Sequence, residues 1–428
     1  MSDVSNEETL KLVVIGNGMA GVRTIEELIK VSPTIYKITI IGEEDSVNYN
    51  RIMLSPILAG EKTLQEIVLN SQAWYEEHGI TLYKGDPAVQ IDRTRKIVHT
   101  HSGQQIQYDK LILATGSQPF IVPFPGHDLN NVLGFRTVKD VDRMLAISKT
   151  HRSAVVIGGG LLGLEAASGL NRQGMDVTVL HSGKYLLNRQ LDQRAASLLS
   201  TSLEQDGITC RLNAKTESLI GNASGDVSGV KLKSGEVVAA DLVVFATGVK
   251  PNIALAKQAN LHCDRGILVS DTLQTFDPSI YAVGECVQHR GALFGLVAPL
   301  FEQAKVCANH LAELGFKAYT TKPTGTKLKV SGLDVYSAGV IDQDTAASDN
   351  TDTPYEYLQY EDRQKGIYKK LVLKDDKLMG IVLFGDIKEG AYFFDLIQSK
   401  TDISTFRHLL LFGKAYCEAY QKEASMAA

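Results

Sequence analysis

Hydrophobic residues along this chain gather in short unbroken runs, each closed by glycine. Leu12, Val13, Val14 and Ile15 form the first run, directly ahead of Gly16-x-Gly18-x-x-Gly21. A run that is apolar on both faces reads as a strand buried in a parallel sheet. Beyond Gly21 the apolar positions switch to helical spacing, with Ile25, Leu28 and Ile29 on one face. Ile38 to Ile41 is a second buried run, closed by Gly42 and Glu43. A polar-aromatic loop, Asn48 to Pro56, follows, and then a helix expected around Leu64 to His78. Tyr108 to Gly116 closes the unit with another buried strand ending on Ala-Thr-Gly.

The pattern then repeats. Ala154 to Ile157 runs into Gly158-Gly-Gly160-Leu-Leu-Gly163-Leu-Glu165, Val177 to Leu180 is the second strand, and Asp241 to Gly248 mirrors Asp109 to Gly116. Two such copies predict an α/β protein with two Rossmann-like dinucleotide-binding domains. Pro119, Pro123, Pro125 and Gly126 suit an extended linker between them. A helix is expected from about Pro299 to Leu314. From about Lys317 the character changes to short strands (Lys327 to Val330, Ile367 to Leu373, Met379 to Phe384), a polar loop at Asp342 to Thr353 and C-terminal helices. This predicts a third, α+β domain whose hairpin, Ile367 to Phe384, is equally suited to packing on the first domain or on a second copy in a homodimer.

The glycine turns carry chemistry. Gly16 permits the tight turn, Gly18 lets a pyrophosphate reach the backbone, and Gly21 allows close packing of helix on strand. The helix N-terminus adds free N–H groups and a positive dipole end. Glu43, at the end of the second strand, is placed to accept hydrogen bonds from ribose hydroxyls.

Composition narrows the partners. With 428 residues, 44% hydrophobic and 22% charged, the chain has ample core, and a net charge of −5 gives no reason to expect nucleic acid or a membrane surface. No apolar run reaches the roughly 18 residues of a spanning helix. The polar start MSDVSNEET is not a signal peptide, and five scattered cysteines fit reduced thiols in a cytoplasmic protein.

Taken together the motifs resemble the flavoprotein family with two dinucleotide domains that includes rubredoxin reductases and ferredoxin reductases. Within it the match is closest to the FAD/NAD(P)H-binding portion of the NAD(P)H nitrite reductase large subunit. IGNGMAG (Ile15 to Gly21), YNRIMLS (Tyr49 to Ser55), YDKLILATGS (Tyr108 to Ser117), GGGLLGLEAA (Gly158 to Ala167), SDTLQTFDPSIYAVGEC (Ser270 to Cys286) and FGLVAP (Phe294 to Pro299) carry it. The resemblance implies FAD binding by residues 8–118 and 249–316, NAD(P)H binding by 119–248, and an interface role for 317–428.

On the same resemblance Gly16, Gly18 and Gly21 face the FAD pyrophosphate and Glu43 the adenosine ribose. Arg51 sits near the flavin or pyrophosphate, Thr115 and Gly116 line the cofactor, and Gly284-Glu285 reaches the ribityl chain. Such families more often carry Asp at that last position, and the nitrite-reductase-like branch carries Glu. Pro299 lies where a helix N-terminus meets the pyrimidine edge of the flavin. The nicotinamide nucleotide falls to Gly158, Gly160, Gly163 and Gly248, with Glu165 either touching the nicotinamide or acting only as a helix-dipole partner. An NADH site usually ends its second strand on a carboxylate. Here stand His181, Ser182, Gly183 and Lys184, with no acid before Asp192, which predicts NADPH use or dual specificity.

The chain has no cysteine before Cys210 and no CxxC, so neither a dithiol relay nor a sulfenic-acid peroxidase is expected. The cysteine-rich iron–sulfur and sirohaem regions of the nitrite reductase large subunit have no counterpart, so nitrite reduction by this chain itself is not expected. Pro56 stands where ferredoxin reductases tend to place lysine. The expected activity is hydride transfer from NAD(P)H to FAD, with electrons passing to a protein acceptor: a rubredoxin, a ferredoxin, or a nitrite/nitrate reductase component. Lys317, Lys322, Lys327 and Lys329, with no acid among them, read as a docking strip for an acidic carrier or as a solvated linker. The alternatives are an NAD(P)H oxidase or quinone reductase, and a non-catalytic redox-sensing or assembly subunit.

Overall fold

The computed structural model describes residues 9–330, 332–341 and 354–427. The polar loop at Asp342 to Thr353 and the first eight residues of the polar start lie outside the described residues. The apolar runs form two parallel sheets of five strands each. In the first, Leu10–Ile15 lies between Tyr36–Ile41 and Lys110–Leu113, with Ile280–Ala282 and Thr81–Tyr83 at the edges. In the second, Ser153–Ile157 lies between Asp176–Leu180 and Leu242–Phe245.

The repeat extends to single hydrogen bonds. Asp109 accepts the Lys11 N–H at 2.7 Å, and Asp241 accepts the Ser153 N–H at 2.9 Å, each tying the start of one strand to the next. Gly16 N–H reaches Ile41 O at 2.8 Å, and Gly158 N–H reaches Leu180 O at 2.9 Å. Both glycines have positive φ, +116° and +126°, and a Cβ on either would collide with the carbonyl of Ala114 or Ala246. Glycine is required at both turns by the protein itself.

Between the halves the proline-rich crossing is extended, but it is not free. Ser117–Pro119 pairs antiparallel with Val249–Pro251, so the outgoing and returning strands form one ribbon. The expected helix from Leu64 to His78 is a difference: a single 3-10 turn, Gln65–Ile67, is followed by extended chain and then a short helix, Gln72–Glu77. Residues 67–70 pair with the loop at 48–50 instead, through Asn50 N–H to Ile67 O at 2.8 Å and Leu69 N–H to Asn48 O at 2.9 Å. Tertiary pairing outweighs local helical spacing here.

The last domain is a five-stranded antiparallel sheet, and the expected hairpin is present as Ile367–Lys374 and Lys377–Phe384. Its strands are buried on both faces. Tyr368, Val382 and Phe384 join the core of the second Rossmann-like domain, while Leu371, Ile381 and Leu383 pack with Phe393, Leu396 and Phe406 of the C-terminal segments. The hairpin is thus placed on the second domain. Asp192 fastens it there, accepting from the Tyr368 hydroxyl at 2.7 Å and lying 3.2 Å from the Lys370 ammonium.

Candidate functional site

Where the two domains meet, a cleft of about 1640 Å³ opens over the glycine turn of the first sheet. Gly16, Gly18, Glu43, Arg51, Thr115, Gly116, Glu165, Gly284, Glu285 and Pro299 all line it. Gly21 does not: it is buried, and a Cβ there would come within 2.6 Å of Gly16 O and 2.9 Å of Ala114 Cβ, so it sets the helix–strand contact. Gly158, Gly160, Gly163, His181 and Gly248 belong to the second sheet and its turns, outside the cleft.

What surrounds the glycines fits a dinucleotide. Gly18 and Gly160 each hold the N-cap position of a helix that has no side-chain cap, and a Cβ on either would meet nothing within 4 Å. No protein atom demands glycine there, and the first N–H groups of both helices lack a side-chain acceptor. An anion approaching the backbone satisfies both conditions. The helices Val138–Ser148 and Gln193–Gln205, which face no such turn, are capped by the side chains of Thr137 and Asp192. Another N-terminus without a side-chain cap, that of the helix Val297–Leu311, opens onto the cleft through Leu296, Val297, Ala298 and Pro299. It begins two residues before the expected Pro299.

Charged residues at the floor are paired. The Arg51 guanidinium donates to Glu44 and to the carbonyl of Arg136, with its face over the Tyr49 ring, whose hydroxyl donates to Glu44 at 2.8 Å. Glu285 pairs with Arg136 and accepts from Ser117 Oγ at 2.6 Å. Thr115 Oγ1 donates to Asn252 O at 2.7 Å, while the Asn252 amide donates to Thr115 O at 2.9 Å, joining the ends of the interdomain ribbon. Gly284, at φ +95°, donates its N–H to the fully buried Gln303 at 2.8 Å.

Glu165 is different. Ser55, across the domain boundary, donates to it at 2.6 Å, and burial pushes its carboxyl above the ordinary range while that hydrogen bond pulls the other way. At the end of the second sheet, His181 Nδ1 accepts the Gly159 N–H at 3.2 Å, and burial holds the ring's pKa down. A neutral imidazole therefore occupies the position of the usual ribose-binding carboxylate, and Lys184 beside it is exposed. Of the proposed lysine strip, Lys322 and Lys327 line the cleft, and Lys317 is exposed.

Sequence reasoning missed Arg136, Ser117, Ser55, Glu44 and Asn252. Arg136 left one signal: Thr137-Val-Lys-Asp140 is a capping box, and its Asp140 also accepts the Arg136 N–H at 3.0 Å, holding that backbone in the cleft wall. Among the described residues no cysteine lines the cleft, no acidic or His/Cys cluster could hold a metal ion, and no helix is long and apolar enough to cross a membrane. The Cys286 and Cys307 thiols are buried and pushed up, and Cys210 is raised to about 11.

Residues 10–310 match the family described as pyridine nucleotide-disulphide oxidoreductase, and residues 325–401 match the rubredoxin NAD+ reductase C-terminal domain. The chain is 48% identical to a nitrite reductase [NAD(P)H] of Bacillus subtilis over 92% of its length, covering 48% of that protein. It is 31% identical to the rubredoxin-NAD(+) reductase of Pseudomonas putida, covering 82% of this chain and 93% of that one. The crystal structure of NADH:rubredoxin oxidoreductase from Clostridium acetobutylicum superposes with a TM-score of 0.75 at 26% identity, over 93% of this chain and 97% of that one. The chain spans about half the length of the nitrite reductases it matches, 48% in Bacillus subtilis and 46% in Escherichia coli. It belongs to the pyridine nucleotide-disulphide oxidoreductase family, a family of FAD- and NAD(P)H-dependent oxidoreductases.

Proposed function

We propose that this chain is an NAD(P)H oxidoreductase that holds FAD in the cleft and passes electrons to a protein acceptor. The observation that carries this reading is the pair of uncapped, Cβ-free helix starts at Gly18 and Gly160, one on each side of a domain boundary closed by Ser55 and Glu165. When bound, FAD supplies the hydride acceptor and the route by which electrons leave. Gly16, Gly18 and the helix start at Met19 receive its pyrophosphate, Glu43 the adenosine ribose, and Glu285 with Thr115 and Gly116 the ribityl side. Arg51 and Arg136 hold the floor through Glu44 and Glu285, and the helix start ahead of Pro299 offers the N–H groups of Leu296, Val297 and Ala298 where negative charge develops. Residues 158–163 and Gly248 take the nicotinamide nucleotide.

The acceptor is a rubredoxin, a ferredoxin or a nitrite/nitrate reductase component. A rubredoxin-reductase-type C-terminal domain and lysines at the cleft rim favour a small acidic carrier over an oxidase role. Anaerobic stopped-flow mixing of the flavin-loaded protein with NADPH or NADH, then with oxidised carrier, tests this. Rapid bleaching is expected, followed by carrier reduction that slows with added salt. Bleaching followed by oxygen or quinone turnover as fast as carrier turnover would favour the oxidase reading. No bleaching by either nucleotide would leave a sensing or assembly subunit.

The neutral His181 and the exposed Lys184 favour NADPH or dual use. His181→Asp restores a carboxylate beside Gly159, and like-charge contact with a 2′-phosphate is costly. The ratio of kcat/KM for NADPH over NADH is expected to fall at least about tenfold, ~1.4 kcal/mol. An unchanged ratio would remove His181 from specificity.

A further inference from the structure

Glu165 is a carboxyl group with one visible partner, a hydroxyl from the other domain. It lies in the early turns of the helix Leu161–Arg172, which starts at the Gly160 turn, and it lines the cleft together with Leu161, Leu162 and Ser55. A nucleotide seated on that turn and reaching toward the cleft must pass it. The contact is held rigidly, because the short helix Leu54–Leu58 lies along the Glu165 helix. A Cβ on Gly169 would come within 2.8 Å of Leu58, Gln173 donates to Leu58 O at 2.7 Å, and Arg172 pairs with Glu61.

Charged groups around it are few. Among the described residues no ion pair forms to Glu165. The helix Leu54–Leu58 and the strands Ser153–Ile157 and Leu242–Phe245 bring no ionisable side chain to this helix. Asp176 sits at the opposite end of its strand from the glycine turn. The strand Gly325–Val330 carries Lys327 and Lys329. Arg51 and Arg136, in the same cleft, are held by Glu44 and Glu285.

We infer that Glu165 distinguishes the oxidised from the reduced nicotinamide by its proton: neutral beside the reduced ring, ionised beside the cationic oxidised ring. This rests on nucleotide binding at the Gly158–Gly163 turn. A reduced nicotinamide is uncharged and does not oppose the enclosure of this half-buried carboxyl, which favours the acid form. An oxidised nicotinamide carries a positive charge that, in a partly dry cleft, favours the carboxylate. Binding of the oxidised nucleotide therefore releases one proton from Glu165 to solvent, and binding of the reduced nucleotide releases none. By linkage, lowering the pH weakens retention of the oxidised product while leaving affinity for the reduced substrate nearly unchanged. The hydroxyl of Ser55 favours the ionised form, so it sets the pH at which the exchange occurs.

Calorimetric titration of the flavin-loaded protein in buffers of different ionisation enthalpy reads this proton directly, with NADP+ and with the unreactive reduced analogue tetrahydro-NADP. The shared 2′-phosphate titrates at about pH 6 in both nucleotides and cancels in their difference, so NADP+ is expected to release close to one proton more than the analogue near neutral pH. NADP+ affinity should tighten about fivefold or more as pH rises through this window, the usual lower bound for coupled sites. Glu165→Gln should abolish the difference in proton release and in pH dependence between the two nucleotides, and Ser55→Ala should move that difference to higher pH. Should Glu165→Gln fail to fold, the wild-type buffer dependence and Ser55→Ala still decide. Bleaching of the flavin by NADPH without that difference in proton release overturns this inference alone. Absence of bleaching overturns the oxidoreductase reading instead.

Discussion

Gly18→Val is expected to leave the apoprotein folded and to cost FAD binding at least about 100-fold, ~2.7 kcal/mol. Gly18 has ordinary, negative φ, −86°, and a side chain there would point into open space, so the fold has no objection to it. The loss comes entirely from the volume a pyrophosphate must share with the valine and from the blocked N–H groups of the helix start. Gly16→Ala gives the contrasting result. Its Cβ would overlap the Ala114 carbonyl in a conformation L-residues rarely adopt, so the apoprotein itself is destabilised by about 1–3 kcal/mol from the backbone alone. Apoprotein melting together with flavin fluorescence titration separates the two. Gly160→Val extends the test: flavin content should stay at wild-type level while nucleotide affinity is lost. A Gly18→Val protein that purifies fully yellow would remove the phosphate cradle from the first turn.

These glycines also show which parts of the molecule were legible in the chain. A buried strand entering a glycine turn is a local event, and so its second occurrence at Ser153 to Gly163 could be read without knowing how the halves are placed. Even the carboxylates that begin the closing strands, Asp109 and Asp241, repeat in sequence because they repeat in hydrogen bonding. The helix expected over Leu64 to His78 failed for the opposite reason. Tyr49 and Val68 form a bridge between distant segments, and that pairing keeps Val68 extended where spacing alone favours a helix. The cleft residues divide in the same way. Gly18, Gly116 and Glu285 follow strands and turns and were readable. The Ser55–Glu165 bond and the Arg136–Glu285 pair join positions with no periodic relation, 110 and 149 residues apart, so only the packing of one domain on the other creates them.

The other large effect is expected far from the cleft, at Asp192. This residue is 7% exposed, and its partners Tyr368 and Lys370 are 2% and 6% exposed. One carboxylate oxygen caps the helix Gln193–Gln205 through the Ala195 N–H at 3.0 Å, and the other receives the Tyr368 hydroxyl and the Lys370 ammonium from the third domain. Asp192→Ala therefore strands a buried cation, leaves a buried hydroxyl without that acceptor and uncaps a helix, at a cost of about 3–5 kcal/mol in denaturant unfolding. The size of that penalty does not mean the ion pair stabilises by the same amount, because desolvating both charges offsets much of their attraction. The double variant Asp192→Asn, Lys370→Met should accordingly recover most of the loss, since it removes both charges and keeps a capping side chain and an acceptor for Tyr368. If Asp192→Ala unfolds within about 1 kcal/mol of wild type, the cluster is not the fastening between the nucleotide domain and the third domain. If the single variant is weak and the double variant restores it, the third domain is held in register by one buried carboxylate. The surface it presents beside the cleft, Tyr336, Phe394 and Gln398, then depends on that residue for its position.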